Sequence, residues 1–275
     1  MRVISALAAL SLVASTAAAQ SFGGYQMQLN GSGGNGTPLI SGGALQLIND
    51  DYGSSSSAFT TGTFDFSALS AWSTSFRLHY AFTSDVNGWG VGGDGIAFVM
   101  QSGAATATGV GGGSMGYEGI NNSIAVAFRS FWDDVLIGEN GVLNGASPFI
   151  ANSAGLSTGS SGPSTDFFAQ VLLSYDGAGG LSLSYTPTSG SGVFSATHAV
   201  DVSSLGSTVR LGFTGGSGSA TQLAEVDNWS VTGLSPTTVT PEPASMVLMA
   251  TGIVVVVGAA RRRKGESAKW SCSEM

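Results

Sequence analysis

Gly93-Asp94-Gly95-Ile96-Ala97-Phe98-Val99-Met100-Gln101-Ser102-Gly103, followed after a small-residue connection by GGGSMGYEGINNSIAVAFRSFWDD over 111–134, is the stretch that decides how this chain folds. Ile96, Phe98 and Met100 alternate with Gly95, Ala97 and Val99, the period of two that sends successive side chains to opposite faces of a strand. Ile124, Val126 and Phe128 repeat the pattern against Ala125, Ala127 and Arg129. Between the two strands, Gly111-Gly112-Gly113 permits backbone conformations closed to residues with a Cβ, as a tight turn or a ligand-cradling loop requires. Asp94 stands just before the first strand, and Asp133 and Asp134 just after the second. Rigid apolar strands with polar groups at their mouths are a common support for a binding site.

Working outward, the composition fits an all-β chain. Of 275 residues, 43% are hydrophobic, enough for a sizeable core, while 42 are glycine and only 9% are charged. Weak charge, many turn formers and few helix formers point to one sandwich. The single cysteine, Cys272, lies in the C-terminal tail, so no disulfide is expected in the body. Between Gln20 and Thr240 three arginines face fourteen acidic residues, a net charge of −11. A surface that acidic repels phosphate backbones, which excludes nucleic acid as a partner.

Residues 1–19 read as a secretory signal peptide: Arg2, an apolar run from Val3 to Val13, and small residues Ala17-Ala18-Ala19 before the cleavage site. LQLI from Leu45 and AFTTGTFDF ending at Phe66 are short apolar runs broken by Gly-Ser stretches. Trp72 to Phe82 is the cleanest strand, with Phe76, Leu78, Tyr80 and Phe82 on one face and Ser75, Arg77, His79 and Ala81 on the other. Residues 138–163 read as a loop. Val171–Tyr175, Asp176–Gly180 and Leu181–Tyr185 form a hairpin, and further strands begin at Leu211 and Val226. Trp72 and Trp229 are expected to pack in the core. Trp89 is an even choice between burial and a surface contact, and His79 is expected at the surface or between sheets.

The order Asp94-Gly95-Ile96-Ala97-Phe98, a glycine loop, then Val126-Ala127-Phe128-Arg129-Ser130-Phe131 resembles the legume-type (L-type) lectin family. Trp72-Ser73-Thr74-Ser75-Phe76, the Tyr175-Asp176-Gly177 turn and the closing Val226–Val231 run extend the resemblance over residues 45–231. It implies a concanavalin A-like jelly-roll β-sandwich over 20–234. A linker at 235–240 follows. Pro241-Glu242-Pro243, the apolar run 244–260 and Arg261-Arg262-Arg263-Lys264 then resemble the PEP-CTERM sorting signal of Gram-negative bacteria. That resemblance implies a single transmembrane helix at 244–260 held transiently in the inner membrane, a cytoplasmic tail at 265–275, and an exosortase-type processing enzyme as partner.

In L-type lectins a sugar bonds to an Asp, a glycine-loop N–H and an Asn, over an aromatic ring. The resemblance places these roles on Asp94, on Gly113 or Gly112, on Asp133, and on Phe131 or Trp132, with the remaining loop at Gly218-Ser219-Ala220. In the family a cis peptide precedes that Asp, here Gly93–Asp94; without an ion it is either held by something else or relaxed to trans. The family's metal-ligand positions, however, hold Ala127, Arg129 and Leu136. A calcium site needs 6–8 oxygen ligands, so no metal cofactor is expected. Asp133, Asp134 and Glu139 are the residues from which a calcium site could be rebuilt. Arg129 instead is expected either to stand in for the cation by a bidentate pair with Asp133 or Asp134, or to lie in solvent.

The expected function is therefore a secreted or surface-associated carbohydrate-binding protein of an exopolysaccharide or biofilm matrix, without the usual metal pair. One alternative is a structural or adhesion protein that uses the sandwich with no sugar site. A glycoside hydrolase is the other, and it would need two carboxyl groups about 5–5.5 Å apart. The candidate positions for such a pair hold Ala127 and Arg129.

Overall fold

The computed structural model describes residues 20–32, 38–81, 92–143, 149–150, 156, 166–188 and 192–237. The expected signal peptide, Trp89, most of the 138–163 loop, the sorting signal, the membrane helix and the tail lie outside these residues. The chain divides into units Met1–Pro236 and Thr237–Met275, and the described strands all lie in the first.

In chain order they begin with β1 (Gln20–Phe22), β2 (Tyr25–Ser32), β3 (Leu39–Ser41), β4 (Ala44–Asn49), β5 (Ser55–Thr60) and β6 (Phe64–Asp65). The middle of the chain gives β7 (Trp72–Ala81), β8 (Gly95–Gln101), β9 (Ser123–Arg129), β10 (Asp134–Glu139) and β11 (Val142–Leu143). Then come β12 (Asp166–Tyr175), β13 (Gly180–Pro187), β14 (Phe194–Ala199), β15 (Thr208–Gly216), β16 (Leu223–Thr232) and β17 (Ser235–Pro236). One sheet runs β1-β2-β5-β15-β8-β9-β10-β11, with β6 and β17 joined beside β15; the other runs β14-β13-β12-β7-β16-β4-β3. The pairs are antiparallel, and neighbours such as β5, β15 and β8 are distant in sequence. This is the expected all-β jelly-roll sandwich.

The period-two faces explain the core. β7 buries Trp72, Thr74, Phe76, Leu78 and Tyr80 and turns Ser73, Ser75, Arg77 and His79 outward. Phe76 and Trp229 reach Phe213 across the sandwich at ring separations of 5.0 and 5.3 Å, and Phe98 meets Phe213 from the neighbouring strand of the same sheet at 5.6 Å. Trp229 also donates to Thr74 Oγ1 at 2.9 Å, which satisfies its buried N–H. Both Trp72 and Trp229 are core residues, as expected. His79 lies on the outer face, stacked on Phe168 with its Nδ1 3.0 Å from Glu225.

Three features depart from the alternation. β8 is buried on both faces, because Ala97 and Val99 join a second apolar cluster with Phe59, Met115, Tyr117, Ile120, Ala127 and Leu136. The segment after β8 folds back over its own sheet, so the face opposite the main core also stays dry. β5 begins at Ser55, in a Gly-Ser stretch that reads as a break. Its serines are buried because the same segment gives them acceptors: Ser55 Oγ donates to Gly109 O at 2.7 Å and Ser57 Oγ to Ala107 O at 2.6 Å. Finally, Ser235 and Pro236, expected in the linker, pair with Asp65 and Phe64 as β17.

Candidate functional site

Just before β8 the chain turns sharply between two strands and a loop. The Gly93–Asp94 peptide is cis, the first of the two outcomes left open by the sequence. Gly95 follows at φ +152, where a Cβ would lie 2.1 Å from Phe128 O. Only glycine allows the strands to close this tightly. Tyr80, reaching across from β7, accepts from Ile96 N–H at 3.1 Å and donates to Phe128 O at 2.7 Å. Burial holds its phenol far above the usual range, so it stays a neutral tie between the sheets. Ser130 N–H donates to Asp94 O at 2.9 Å, Ser130 Oγ bonds to the same oxygen at 3.2 Å, and Gln222 Nε2 donates to Ser130 Oγ at 2.7 Å.

These ties set the Asp94 carboxylate among bare glycines. Its Oδ2 lies 3.0 Å from where a Cβ of Gly218 would stand and 3.8 Å from that of Gly112. The Gly218 N–H bonds to the carboxylate, yet Oδ2 is buried with no hydrogen-bond partner among the described residues. Burial pushes the carboxyl up to about 6, while the Gly218 N–H and the charge of Arg129 pull the other way. A buried acceptor with an unfilled lone pair is a site for an incoming donor.

Beside it, Trp132 sits in the space that Gly113 leaves: a Cβ there would lie 2.5 Å from Trp132 Cη2. The indole is 39% exposed, which leaves ring surface for a ligand. Phe131 meets Trp132 edge to face at 4.9 Å and borders Gly93. Ala220 is buried against Gly93, and Ser219 is exposed on the same loop. The loop itself is pinned by Gly53 N–H to Gly218 O at 3.0 Å and Ser217 N–H to Ser54 O at 3.1 Å. The structure thus gathers Asp94, Gly112, Gly113 and Trp132 in one place, with Phe131, Ser219 and Ala220 at its border. Asp133 has other work: its Oδ1 accepts from Leu156 N–H at 2.6 Å, and its charge helps raise the phenol of Tyr185.

The metal-ligand positions do not fit an ion. Ala127 and Leu136 are opposed in the β9–β10 register and fully packed in the second apolar cluster. Of the two arrangements expected for Arg129 the structure shows the bidentate pair, with Nε to Asp134 Oδ1 at 2.7 Å and Nη2 to Asp134 Oδ2 at 2.5 Å. Its Cζ lies 4.4 Å from the Trp132 ring centre. Glu139 Oε1 accepts from Asp201 N–H at 2.8 Å. The three acidic residues from which a calcium site could be rebuilt therefore each bond to a different partner. No group of three or more candidate metal ligands occurs among the described residues. Sequence reasoning gave no role to Ser130, which stands inside the second strand motif, or to Gln222, which lies in none, although together they hold Asp94; Gly218 was placed in the remaining loop but not as a donor to Asp94.

Residues 239–264 match the PEP-CTERM protein-sorting motif. No curated protein matches the chain in sequence. In structure it is similar to arcelin-5, a lectin-like defense protein from Phaseolus vulgaris, at 18% identity and a TM-score of 0.58 over 74% of this chain and 91% of that one. It is similar also to the metal-free form of lectin I-B4 from Griffonia simplicifolia, at 17% identity and 0.55 over 75% and 92%. A lectin from Bauhinia forficata in complex with GalNAc matches at 19% identity and 0.53 over 77% and 92%. At these identities the likeness establishes the fold, which is that of the legume lectins over most of the chain.

Proposed function

We propose that this protein is a non-catalytic carbohydrate-binding protein, exported and sorted to the cell surface or its matrix. The observation that carries the reading is the buried, unfilled Oδ2 of Asp94 facing Gly112 and Gly218 beside the half-exposed ring of Trp132. A sugar hydroxyl would donate to that oxygen, and a sugar face would lie against the indole. Binding would be selective for hydroxyl arrangement over a largely pre-formed surface. The ligand would be neutral, because a carboxylated or sulfated sugar would meet Asp94 and a body of net charge −11. The sorting motif supports export followed by exosortase-type processing, and an exopolysaccharide or biofilm matrix is the setting we assign to it.

A second reading, a scaffold with no sugar site, draws on Asp133. The side chain to which the resemblance gives the second polar contact has one oxygen committed to Leu156 N–H. A glycan array probed with the exported protein and with Asp94→Ala, each with and without EDTA, separates the two. Retention of neutral glycans by the wild type alone, unchanged by EDTA, is the expected result. Equal retention by both proteins would move the site elsewhere, and retention by neither would leave the scaffold.

A further inference from the structure

We propose that Arg129 is a built-in cation for this loop: clamped by Asp134 and capped by Trp132, it positions the Asp94–Trp132 surface so that no metal ion is needed. The inference concerns the site of the proposed carbohydrate reading, but it rests on contacts within the chain.

Arg129 and Asp134 are register partners at the open ends of β9 and β10, where the chain reverses through Ser130–Asp133. Pairing them closes the turn with two parallel hydrogen bonds, a geometry that a planar guanidinium supplies and an ammonium cannot. Both side chains are largely shielded, at 15% and 9% exposure, so the pair is screened less than a surface pair. The indole of Trp132 lies over the guanidinium at 4.4 Å, and its edge occupies the space above Gly113. One cation thereby fixes the aromatic ring of the site through its face and the turn through its fork. The same charge reaches Asp94, whose carboxylate it favours.

An ion could not share this place. To bind Asp134 it would have to displace the guanidinium, and Ala127 and Leu136 offer it no oxygen. Asp133 and Glu139 each bond to a backbone N–H elsewhere. The apolar cluster and the arginine together replace what a metal would supply, namely rigidity and positive charge.

The test uses the exported wild type, Arg129→Ala, Arg129→Lys and Asp134→Asn, and none of its readouts involves a sugar. Melting temperature is measured in EDTA and in millimolar calcium chloride. Acrylamide quenching of Trp132 is read as the difference between each protein and its Trp132→Phe counterpart. The Asp94 carboxyl is titrated by carbon NMR. The wild type should melt at one temperature in both media. Arg129→Ala should melt about 5–10 °C lower, expose Trp132 to quencher and shift the Asp94 titration upward. Arg129→Lys keeps the charge and loses the fork, so it should restore the titration but not the shielding of Trp132. Should Arg129→Ala not fold, Asp134→Asn, with the guanidinium still present but unclamped, should show the same exposure of Trp132. A calcium-dependent rise in the wild-type melting temperature overturns the proposal. So does a Trp132 equally shielded in every variant, or an Asp94 titration indifferent to the loss of the arginine. If these readouts come out as expected while no glycan is retained, Arg129 keeps its role and the lectin reading falls.

Discussion

Asp94 shows how a single residue can be legible in sequence while its chemistry is not. Its place before an alternating strand marks it as a site residue, but the reason it is costly lies in its surroundings. Its carboxyl rises from 3.8 to about 6 through burial. Between those two values the unfolded chain releases a proton that the folded chain keeps, so stability falls as pH rises through that window and is level above it. Asp94→Asn should therefore stabilise the protein at neutral pH, by at most roughly 3 kcal/mol for a shift of about two units. Near pH 3 it should gain nothing. Denaturant melts of both proteins at the two pH values would show this, and a gain that does not depend on pH would refute it. A ligand hydroxyl that donates to the ionised form has the opposite dependence. Binding should strengthen as pH rises through about 6, by no more than about tenfold per unit. Calorimetry across that range would show no slope if Asp94 were not the acceptor. Arg129 was legible for a different reason. A cation at the end of one strand and an acid at the start of the next must face each other once the turn is tight. Ser130 and Gln222 follow no such rule, because their partners come from distant parts of the chain.

At the scale of the element, alternation revealed β7, the β12–β13 hairpin and the main core face of β8. It failed for β5, where buried serines replace apolar side chains and depend on carbonyls some fifty residues away. It also failed for the outer face of β8, which the chain covers with its own following segment. Neither fact has a period. Tyr80 is the sharpest case: it reads as one more core aromatic, yet its hydroxyl joins the two sheets below the site. Tyr80→Phe would leave a buried N–H and a buried carbonyl each short of this partner, at a cost of roughly 1–3 kcal/mol. Hydrogen exchange should then quicken at Ile96 more than at the far end of β8; uniform exchange along the strand would mean that the hydroxyl does not hold the site. The glycine turn predicts the reverse balance. Gly113→Ala places a methyl group where Trp132 Cη2 lies. The indole is partly exposed and can swing away, so glycan retention should drop while the melting temperature barely moves. Loss of both together would show that Trp132 is a structural support.

The whole molecule keeps its two instructions in separate stretches of chain. The described strand pairings end at Pro236, within the unit Met1–Pro236, and the sorting motif occupies 239–264. β17 pairs with β6 immediately before the motif, so whatever removes the motif must spare Ser235 and Pro236 to leave the sandwich complete. A stop codon after Thr237 should therefore yield a protein with the melting temperature of the exported wild type. One placed after Gly233 would strip the partner from β6 and should lower that temperature measurably. Location should respond in the opposite way. Without Pro241-Glu242-Pro243, the apolar run and Arg261–Lys264, the chain has lost what the sorting motif supplies, while its folded surface is unchanged. Neutralising Arg261, Arg262, Arg263 and Lys264 alone should suffice, because a basic cluster at one end of an apolar run is what retains that end in the cytoplasm. Fractionation of cells producing the wild type, the truncated chain and the neutralised chain, followed by mass measurement of each product, reads both effects. The wild type should be found processed at the surface or in the medium, and the neutralised chain should accumulate unprocessed or in the wrong fraction with its sandwich intact. Identical mass and location for the wild type and the neutralised chain would mean that the basic cluster has no part in sorting.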